Sequence, residues 1–412
     1  MPTIRDASSL HHTVHALLRL VRATHSISRA EIARTLGVHR STVTTLVKPL
    51  LASGALREDA SETHDGRSGR PPIDLSLRSG EELFVGVNIG ARQSQVGAAT
   101  VEGTTISTET VDTPPDAETM LAEIGAAIAR VVRAASTRSL VGIGVSVPGP
   151  VDAGRSRLME APHLDWRDVR IGESIRRVAA TLIDTPVPVT VENDATAAAI
   201  YERRRRWART SVEGALEDFV LVRAGTGIGV GLIINGEVYR GTGRGEGLGG
   251  EFGHMTVVAG GRLCVCGNRG CWEQYASARS AAALYFGDRV HTRGGPSLYA
   301  DLVSRAEAGD ARARDVLEQT GEYLGIGIAN IITGVGISRV VVSGRIVLGF
   351  ELFREPLFEA VRRTMAGHLT GWSIEAGEAT GAGLGGALEV AVDEHLVRMA
   401  DSAREHHHRA HQ

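Results

Sequence analysis

Residues 140–152 read Leu140-Val141-Gly142-Ile143-Gly144-Val145-Ser146-Val147-Pro148-Gly149-Pro150-Val151-Asp152. Eight uncharged, apolar or small residues in a row are the pattern of a strand buried on both faces, and the Pro-Gly-Pro that follows is a turn. A strand buried on both faces needs helices to cover it. Upstream, Leu83-Phe84-Val85-Gly86-Val87-Asn88-Ile89-Gly90 is a second such strand. Residues 117–135 then place Met120, Leu121, Ile124, Ile128, Val131 and Val132 at helical spacing. Downstream, Pro188-Val189-Thr190-Val191 runs into Glu192-Asn193-Asp194 and an alanine-rich helix. Phe219-Val220-Leu221-Val222, Gly225-Thr226-Gly227-Ile228-Gly229 and the strand 230–234 follow, with Asn235-Gly236 closing a hairpin. Strand-helix alternation over this span predicts an α/β body.

The chain has 412 residues, enough for two or three domains. Hydrophobic content of 42% and charged content of 23% are those of a globular protein. No apolar run reaches the roughly 18 residues that span a bilayer, and the N-terminus has no signal-peptide core. Neither membrane association nor export is expected, and the reading is cytoplasmic. The net charge of −3 conceals an asymmetry: residues 1–80 carry +4 and the remainder −7. A basic head on an acidic body suits a head that meets phosphates.

The head has its own pattern. Leu10, Val14, Leu17, Leu18 and Val21 form one face of a helix. Ser28 and Glu31 have capping-box spacing before a second helix with Ile32 and Leu36 inward. After Gly37 a third helix begins near His39, with Val43, Leu46, Val47 and Leu50 inward. Its other face offers His39, Arg40, Ser41, Thr42, Thr44, Thr45 and Lys48, short polar and basic side chains suited to a major groove. Pro49 in that helix predicts an early end or a kink. Ala55–Glu58 and the alternating Ile73, Leu75 and Leu77 read as a β-wing, and its Gly69-Arg70-Pro71 tip is an extended arm that presents Arg70 to a minor groove. A winged helix-turn-helix over 1–80 is expected. A three-helix packing module gives the same apolar pattern.

All three cysteines lie between Cys264 and Cys271, which is no disulfide framework. Glu251-Phe252-Gly253-His254 stands just upstream. His254, Cys264, Cys266 and Cys271 supply a Cys₃His donor set, the preference of structural Zn²⁺; three free thiols in a flexible loop and a redox Cys-x-Cys are the alternatives. Gly225-Thr226-Gly227 exposes backbone N–H groups that suit an anion, although a tight hairpin explains the same residues.

Together these motifs resemble the ROK family of repressors, sugar kinases and relatives. The resemblance rests on the Gly69-Arg70-Pro71 arm, Pro148–Asp152, Asn193-Asp194, Gly225–Gly229, Glu251-x-x-His254, the cysteine cluster and Glu273. It implies an actin/hexokinase-like fold of two α/β lobes: 81–200 with a C-terminal helix 383–400 returning to it, and 201–382 carrying the zinc. It also implies a monosaccharide held by Asn193, Asp194, Glu251, His254 and Glu273. Other roles fit the same residues: Asn193 and Asp194 as a helix cap, Glu273 as a surface charge, Glu251 as support for a zinc ligand.

Asp194 matches the catalytic base of the family's kinases, but a receptor would use the same carboxylate to hold a hydroxyl. The phosphate loop differs. Kinases of the family have Asp-x-Gly-Gly-Thr-Lys, and this chain has Asn88-Ile89-Gly90-Ala91-Arg92-Gln93. A second nucleotide motif, usually Gly-Gly, reads Val342-Ser343-Gly344-Arg345. The resemblance therefore implies a sugar-responsive, operator-binding repressor without kinase activity, associated with the nucleoid and acting as a homodimer or homotetramer. A bifunctional repressor-kinase and a DNA-binding protein with a purely scaffolding body are the alternatives. Glycines 321, 325 and 327 on a helix around 322–333 suggest close packing, with a dimer contact as one reading. The histidine-rich 405–412 reads as a tail.

Overall fold

The computed structural model describes residues 7–60, 73–78, 80–135, 137–209, 218–241, 249–287, 295–368 and 370–409. The wing tip with Arg70 lies outside them.

The head is built from helices α1 (Ala7–Thr24), α2 (Arg29–Thr35) and α3 (Arg40–Ala52) and strands β1 (Ile27–Ser28), β2 (Leu56–Ala60) and β3 (Ile73–Leu77). The Ser28 hydroxyl accepts from the Glu31 amide while the Glu31 carboxylate accepts from the Ser28 amide, so both orphan donors at the start of α2 are satisfied. Val43, Leu46, Val47 and Leu50 of α3 are buried. The helix continues through Pro49 to Ala52 rather than ending early. Proline there removes one hydrogen bond in the last turn, where few depend on it. The strands form a sheet in the order β1-β3-β2.

α1 is buried all around from Leu17 to Ala23, including Arg19 and Arg22. One side packs in the head and the other meets the body. Phe84, Val101, Trp207, Ala391, Val392 and Leu396 belong to the same apolar cluster as Leu17, Leu18 and Val21. Two of the head's positive charges are thus internal, which shrinks the basic surface read from composition.

The body contains two five-stranded sheets. The first is formed by β4 (Glu82–Asn88), β5 (Gln93–Ala99), β6 (Thr105–Asp112), β7 (Ser139–Val147) and β10 (Val189–Asn193), in the order β6-β5-β4-β7-β10. A small hairpin, β8 (Leu158–Ala161) with β9 (Trp166–Val169), stands apart. The second sheet is formed by β11 (Phe219–Ala224), β12 (Ile228–Ile234), β13 (Glu237–Tyr239), β14 (Arg339–Ser343) and β15 (Ser373–Ala376), in the order β13-β12-β11-β14-β15. Both sheets are an antiparallel three-strand meander whose first strand continues into two parallel strands. This duplicated topology is that of a two-lobed actin/hexokinase-like fold.

Helices α4 (Ala117–Ala134), α5 (Ile171–Ala180) and α6 (Asp194–Arg209) follow in the first half. The C-terminal helix Ala382–Arg409 lies on the first sheet so closely that a Cβ on Gly144 would be 2.0 Å from the Ala387 carbonyl. It extends into the histidine-rich stretch that the sequence read as a tail. The helix with the spaced glycines runs Ala311–Val335. Gly321 and Gly325 face Phe353 and Leu357, and Gly327 faces the Trp272 ring. These small residues therefore serve packing within the chain. No helix of the described residues is long and apolar enough to cross a membrane.

Candidate sugar pocket and metal centre

The site forms where the C-terminal ends of β10, β11 and β7 meet the loop after β13. α6 begins directly after β10. Asn193 Oδ1 accepts from the amides of Ala195 (2.9 Å) and Thr196 (3.2 Å), so Asn193 does cap the helix. Its Nδ2 donates to the Gly149 carbonyl at 3.1 Å and ties down the Pro148–Pro150 turn. One amide hydrogen remains for a ligand. Asp194, half-buried, accepts from Arg223 Nη1 at 2.8 Å.

Glu251 and His254 share a 3₁₀ turn set against β12. A Cβ on Gly253 would lie 2.0 Å from the Ile228 carbonyl, so only glycine permits that approach. The turn holds the Glu251 carboxylate 3.8 Å from His254 Nε2. Burial, together with the negative charges of Asp194 and Glu273, pushes the Glu251 carboxyl up to about 7. It can therefore donate or accept a hydrogen bond near neutral pH.

Glu273 is buried, not a surface charge. Burial raises its pKa, but the neighbouring His163 ring, with the Cys264 thiol and His254 adding to it, more than offsets this and holds it at about 2. Glu273 Oε2 lies 3.7 Å from His163 Nε2, and Arg279 Nη1 lies 3.2 Å from His163 Nδ1. Gly227 makes room for this group, since a Cβ there would be 2.4 Å from Glu273 Oε2. His163, Arg223 and Arg279 were not singled out in the sequence. Arg223 had a signal: it is the first charge after four apolar strand residues and immediately precedes Ala224-Gly225. His163 and Arg279 had none.

His254, Cys264, Cys266 and Cys271 have donor atoms all within 4.8 Å of one another. Cys266 Sγ and Cys271 Sγ are 3.7 Å apart, and Cys264 Sγ is 3.6 Å from His254 Nδ1. A tetrahedron with Zn–S of about 2.3 Å and Zn–N of about 2.0 Å has S–S and S–N edges of roughly 3.8 Å and 3.5 Å. The four residues therefore fit zinc, with Nδ1 inward and Nε2 left beside Glu251. Gly270, at φ +82°, allows the return: a Cβ there would be 1.7 Å from the Val258 carbonyl. Burial lifts the thiols of Cys264 and Cys271 above their ordinary values, so a cation is what would stabilise thiolates here.

In the head, His39, Arg40, Ser41, Thr44, Thr45 and Lys48 are exposed and Thr42 is half-buried. The Thr44 and Thr45 hydroxyls donate to the carbonyls of Arg40 and Ser41 within the helix.

Four arginines and two carboxylates, each buried or half-buried, connect head and site. Arg19 of α1 holds Asp393 through Nε (2.5 Å) and Nη2 (2.9 Å). Arg203 of α6 donates to the same Asp393 at 2.8 Å. Four residues back on the C-terminal helix, Glu389 accepts from Arg22 (2.9 Å) and Arg204 (2.7 Å). Each carboxylate is shared between one arginine of α1 and one of α6, the helix that starts at Asp194.

A family model described as "ROK family" matches residues 84–394. The xylose repressor of Bacillus subtilis is 30% identical over 336 residues, covering 80% of this chain and 81% of its own length. The structure of a ROK family transcriptional regulator, a homologue of the Escherichia coli MLC protein, superposes with a TM-score of 0.71 at 21% identity, over 94% of this chain and 98% of that one. A ROK family glucokinase from Streptomyces griseus, in complex with glucose and AMPPNP, gives a TM-score of 0.62 at 28% identity, over 75% of this chain and 99% of the enzyme.

Proposed function

The chain belongs to the ROK family, and from that premise we propose that it is a sugar-responsive transcriptional repressor of carbohydrate genes. The observation that carries this is the sharing of Asp393 and Glu389 between α1 of the head and α6, whose first residue is Asp194. The likeness to a xylose repressor over 80% of this chain supports it.

The monosaccharide is bound by Asn193, Asp194, Glu251, His254 and Glu273. A polyol needs several donors and acceptors, and a wrong epimer leaves one unpaired. His163 steadies Glu273, and Zn²⁺ on His254, Cys264, Cys266 and Cys271 fixes the turn that carries Glu251 and His254. The chemistry zinc supplies is structural: four deprotonated or neutral donors bound to a closed site. The head reads an operator through His39, Arg40, Ser41, Thr42, Thr44, Thr45 and Lys48 of α3 and Arg70 of the wing. A homodimer or homotetramer presents two heads to a two-fold site, since one head covers too little DNA to be selective. The protein acts in the cytoplasm, at the nucleoid. The domain division is 1–80, 81–200 with the C-terminal helix, and 201–382.

Binding without phosphoryl transfer is favoured by the loop after β4, which lacks the acidic residue and lysine of the kinases, with Asn88, Ala91, Arg92 and Gln93 in their motif.

The test is fluorescence anisotropy on a DNA site selected with the purified full chain, measured with and without a monosaccharide panel. One sugar should change operator affinity by tenfold or more, as coupling of about 1–3 kcal/mol gives. Steady sugar phosphorylation with ATP and Mg²⁺, or operator affinity indifferent to every sugar, would overturn the proposal.

A further inference from the structure

Glu192 stands in β10 just before Asn193 and Asp194, and its side chain is buried. Its Oε2 accepts from Arg240 through Nε (2.9 Å) and Nη2 (2.8 Å), and Arg155 Nη2 lies 3.2 Å from the same oxygen. Oε1 accepts from the Asn193 amide at 3.2 Å. Both oxygens are thus engaged within the chain, and Glu192 is not a further sugar contact. Burying a carboxylate to hold two guanidiniums is a poor way to add stability, since apolar groups of similar volume often do as well. What such a pair fixes is register.

Both arginines sit where register matters. Arg240 is the first residue after β13, and the chain comes back to it before the Glu251 turn. A Cβ on Gly249 would lie 2.8 Å from the Arg240 carbonyl carbon and from the Gly241 nitrogen, so the two backbones touch. Gly250, at φ +136°, follows; its carbonyl accepts from the Val230 amide at 3.1 Å, and a Cβ there would be 2.5 Å from the Val230 carbonyl oxygen. Glu251 is the next residue. Arg240 therefore ties the backbone that leads into Glu251 to the strand that carries Asn193. Arg155 braces the same carboxylate from the other side. It stands at φ +50°, which is strained for a residue with a Cβ, and its carbonyl accepts from the Val191 amide of β10 at 2.9 Å. Its Nε is buried without a hydrogen-bond partner, while Nη1 donates to Glu394 at 3.0 Å. A strained turn that leaves an N–H unsatisfied is kept where it delivers the second guanidinium to Glu192.

We propose that Arg240 is a positioning residue of the sugar pocket: gripped by Glu192, it sets the Glu251 carboxylate opposite Asn193 and Asp194 without touching the sugar. This rests on the sugar-pocket reading, since Glu251 is one of the proposed ligands. Asn193 and Asp194 follow from a strand of the first sheet, and the Glu251 turn is set against the second. Neither sheet alone fixes the distance between them, and the Glu192–Arg240 pair does. Lysine at 240 would keep the charge but not the two-pronged grip.

Calorimetry on the zinc-loaded full chain tests this, with glucose, xylose and N-acetylglucosamine as probes. Arg240→Met and Glu192→Gln should each weaken binding of the sugar that binds by about tenfold, the worth of one charge-assisted hydrogen bond, with zinc content unchanged by elemental analysis. Arg240→Lys should recover part of the loss. A double-mutant cycle separates positioning from a general loosening of the fold. If Arg240 acts through Glu251, adding Arg240→Met to Glu251→Gln should cost no more than about twofold further, whereas adding it to Glu273→Gln should cost the full factor. Unchanged affinity in both single variants, the full factor in both cycles, or zinc lost along with affinity overturns the inference and leaves the sugar pocket standing. If no sugar binds the wild-type chain, the pocket reading itself fails and the positioning role falls with it.

Discussion

Asp393→Asn is the sharpest perturbation of the head–body junction. In the wild type this carboxylate is held by Nε and Nη2 of Arg19 and by Arg203, and the two guanidiniums keep its pKa far below the ordinary carboxylate range despite burial, which alone would raise it. The asparagine has nearly the same shape but no charge, so Arg19 and Arg203 are left buried and facing each other, with Glu237 the remaining nearby carboxylate. Breaking one side of a buried pair costs about 3–5 kcal/mol. Glu389 still ties Arg22 to Arg204, so the loss should fall on the outer junction and α1 rather than on the whole fold. Hydrogen exchange reads this directly: α1 amides should lose about two to three and a half decades of protection at 1.4 kcal/mol per decade. Protection of the strands of the second sheet should be unchanged. Adding Arg19→Met to Asp393→Asn should cost less than the two separate losses combined, by at least about 1 kcal/mol, since both remove one interaction. A loss of protection below tenfold, or strict additivity in that cycle, would refute the view that these charges hold the head.

Three further outcomes are expected. Cys266→Ser removes one of the four candidate metal donors, itself exposed, so the chain should fold, bind less than one zinc per chain by elemental analysis, and lose its sugar response; a normal response in a zinc-depleted variant would break the proposed link between metal and pocket. Gly227→Ala should weaken sugar binding by about tenfold or more with little loss of stability, because the new methyl displaces Glu273 Oε2, the flexible end of a side chain; calorimetry compares the two proteins. Burial, reinforced by Arg398, lowers the His395 pKa from 6.5 to about 4, so between these values the unfolded chain binds a proton that the folded chain refuses. Its contribution is complete above pH 6.5 and declines as pH falls toward 4, by up to about 1.4 kcal/mol per pH unit. Urea midpoints across that range should flatten in His395→Gln.

What the sequence made legible was local or periodic. The Ser28–Glu31 box, the inward face of α3 and the Cys₃His donors each depend on residues close in the chain, and the structure brings each set together. The strand-helix alternation gave the α/β class for a similar reason. The junction was invisible because Arg19 and Asp393 are 374 positions apart, and nothing local distinguishes a buried arginine from a solvated one. α1 was read as having one apolar face, whereas its charged residues Arg19 and Arg22 also meet the body. The glycines near 325 were legible as close-packing sites, but not for what approaches them, since Phe353 and Trp272 come from different directions. The duplicated sheet order was hidden because the two halves share a topology, not a motif.

A junction of shared charges is a poor choice for plain adhesion, since apolar contacts of equal volume are often as stable. It is better suited to a switch. A ligand shifts two states only to the extent that it interacts with them differently, and a hundredfold change in operator affinity needs about 2.7 kcal/mol of coupling. Reorganising one or two charge-assisted hydrogen bonds supplies that much. α6 offers the route: a helix of 16 residues from Asp194 to Arg209 behaves as a rod, so a small displacement of its first turn by the proposed sugar would be felt at Arg203 and Arg204. Arg203→Met isolates the step. Asp393 keeps Arg19, so the head stays attached, and Asp194 is untouched. Coupling is reciprocal, so it can be read from either side. In the wild type, sugar affinity measured with saturating operator should differ from that of free protein by the same factor as operator affinity measured with saturating sugar. In Arg203→Met both factors should fall toward one while each ligand alone still binds. If the factors stay at their wild-type value, the signal does not travel through the shared carboxylate Asp393.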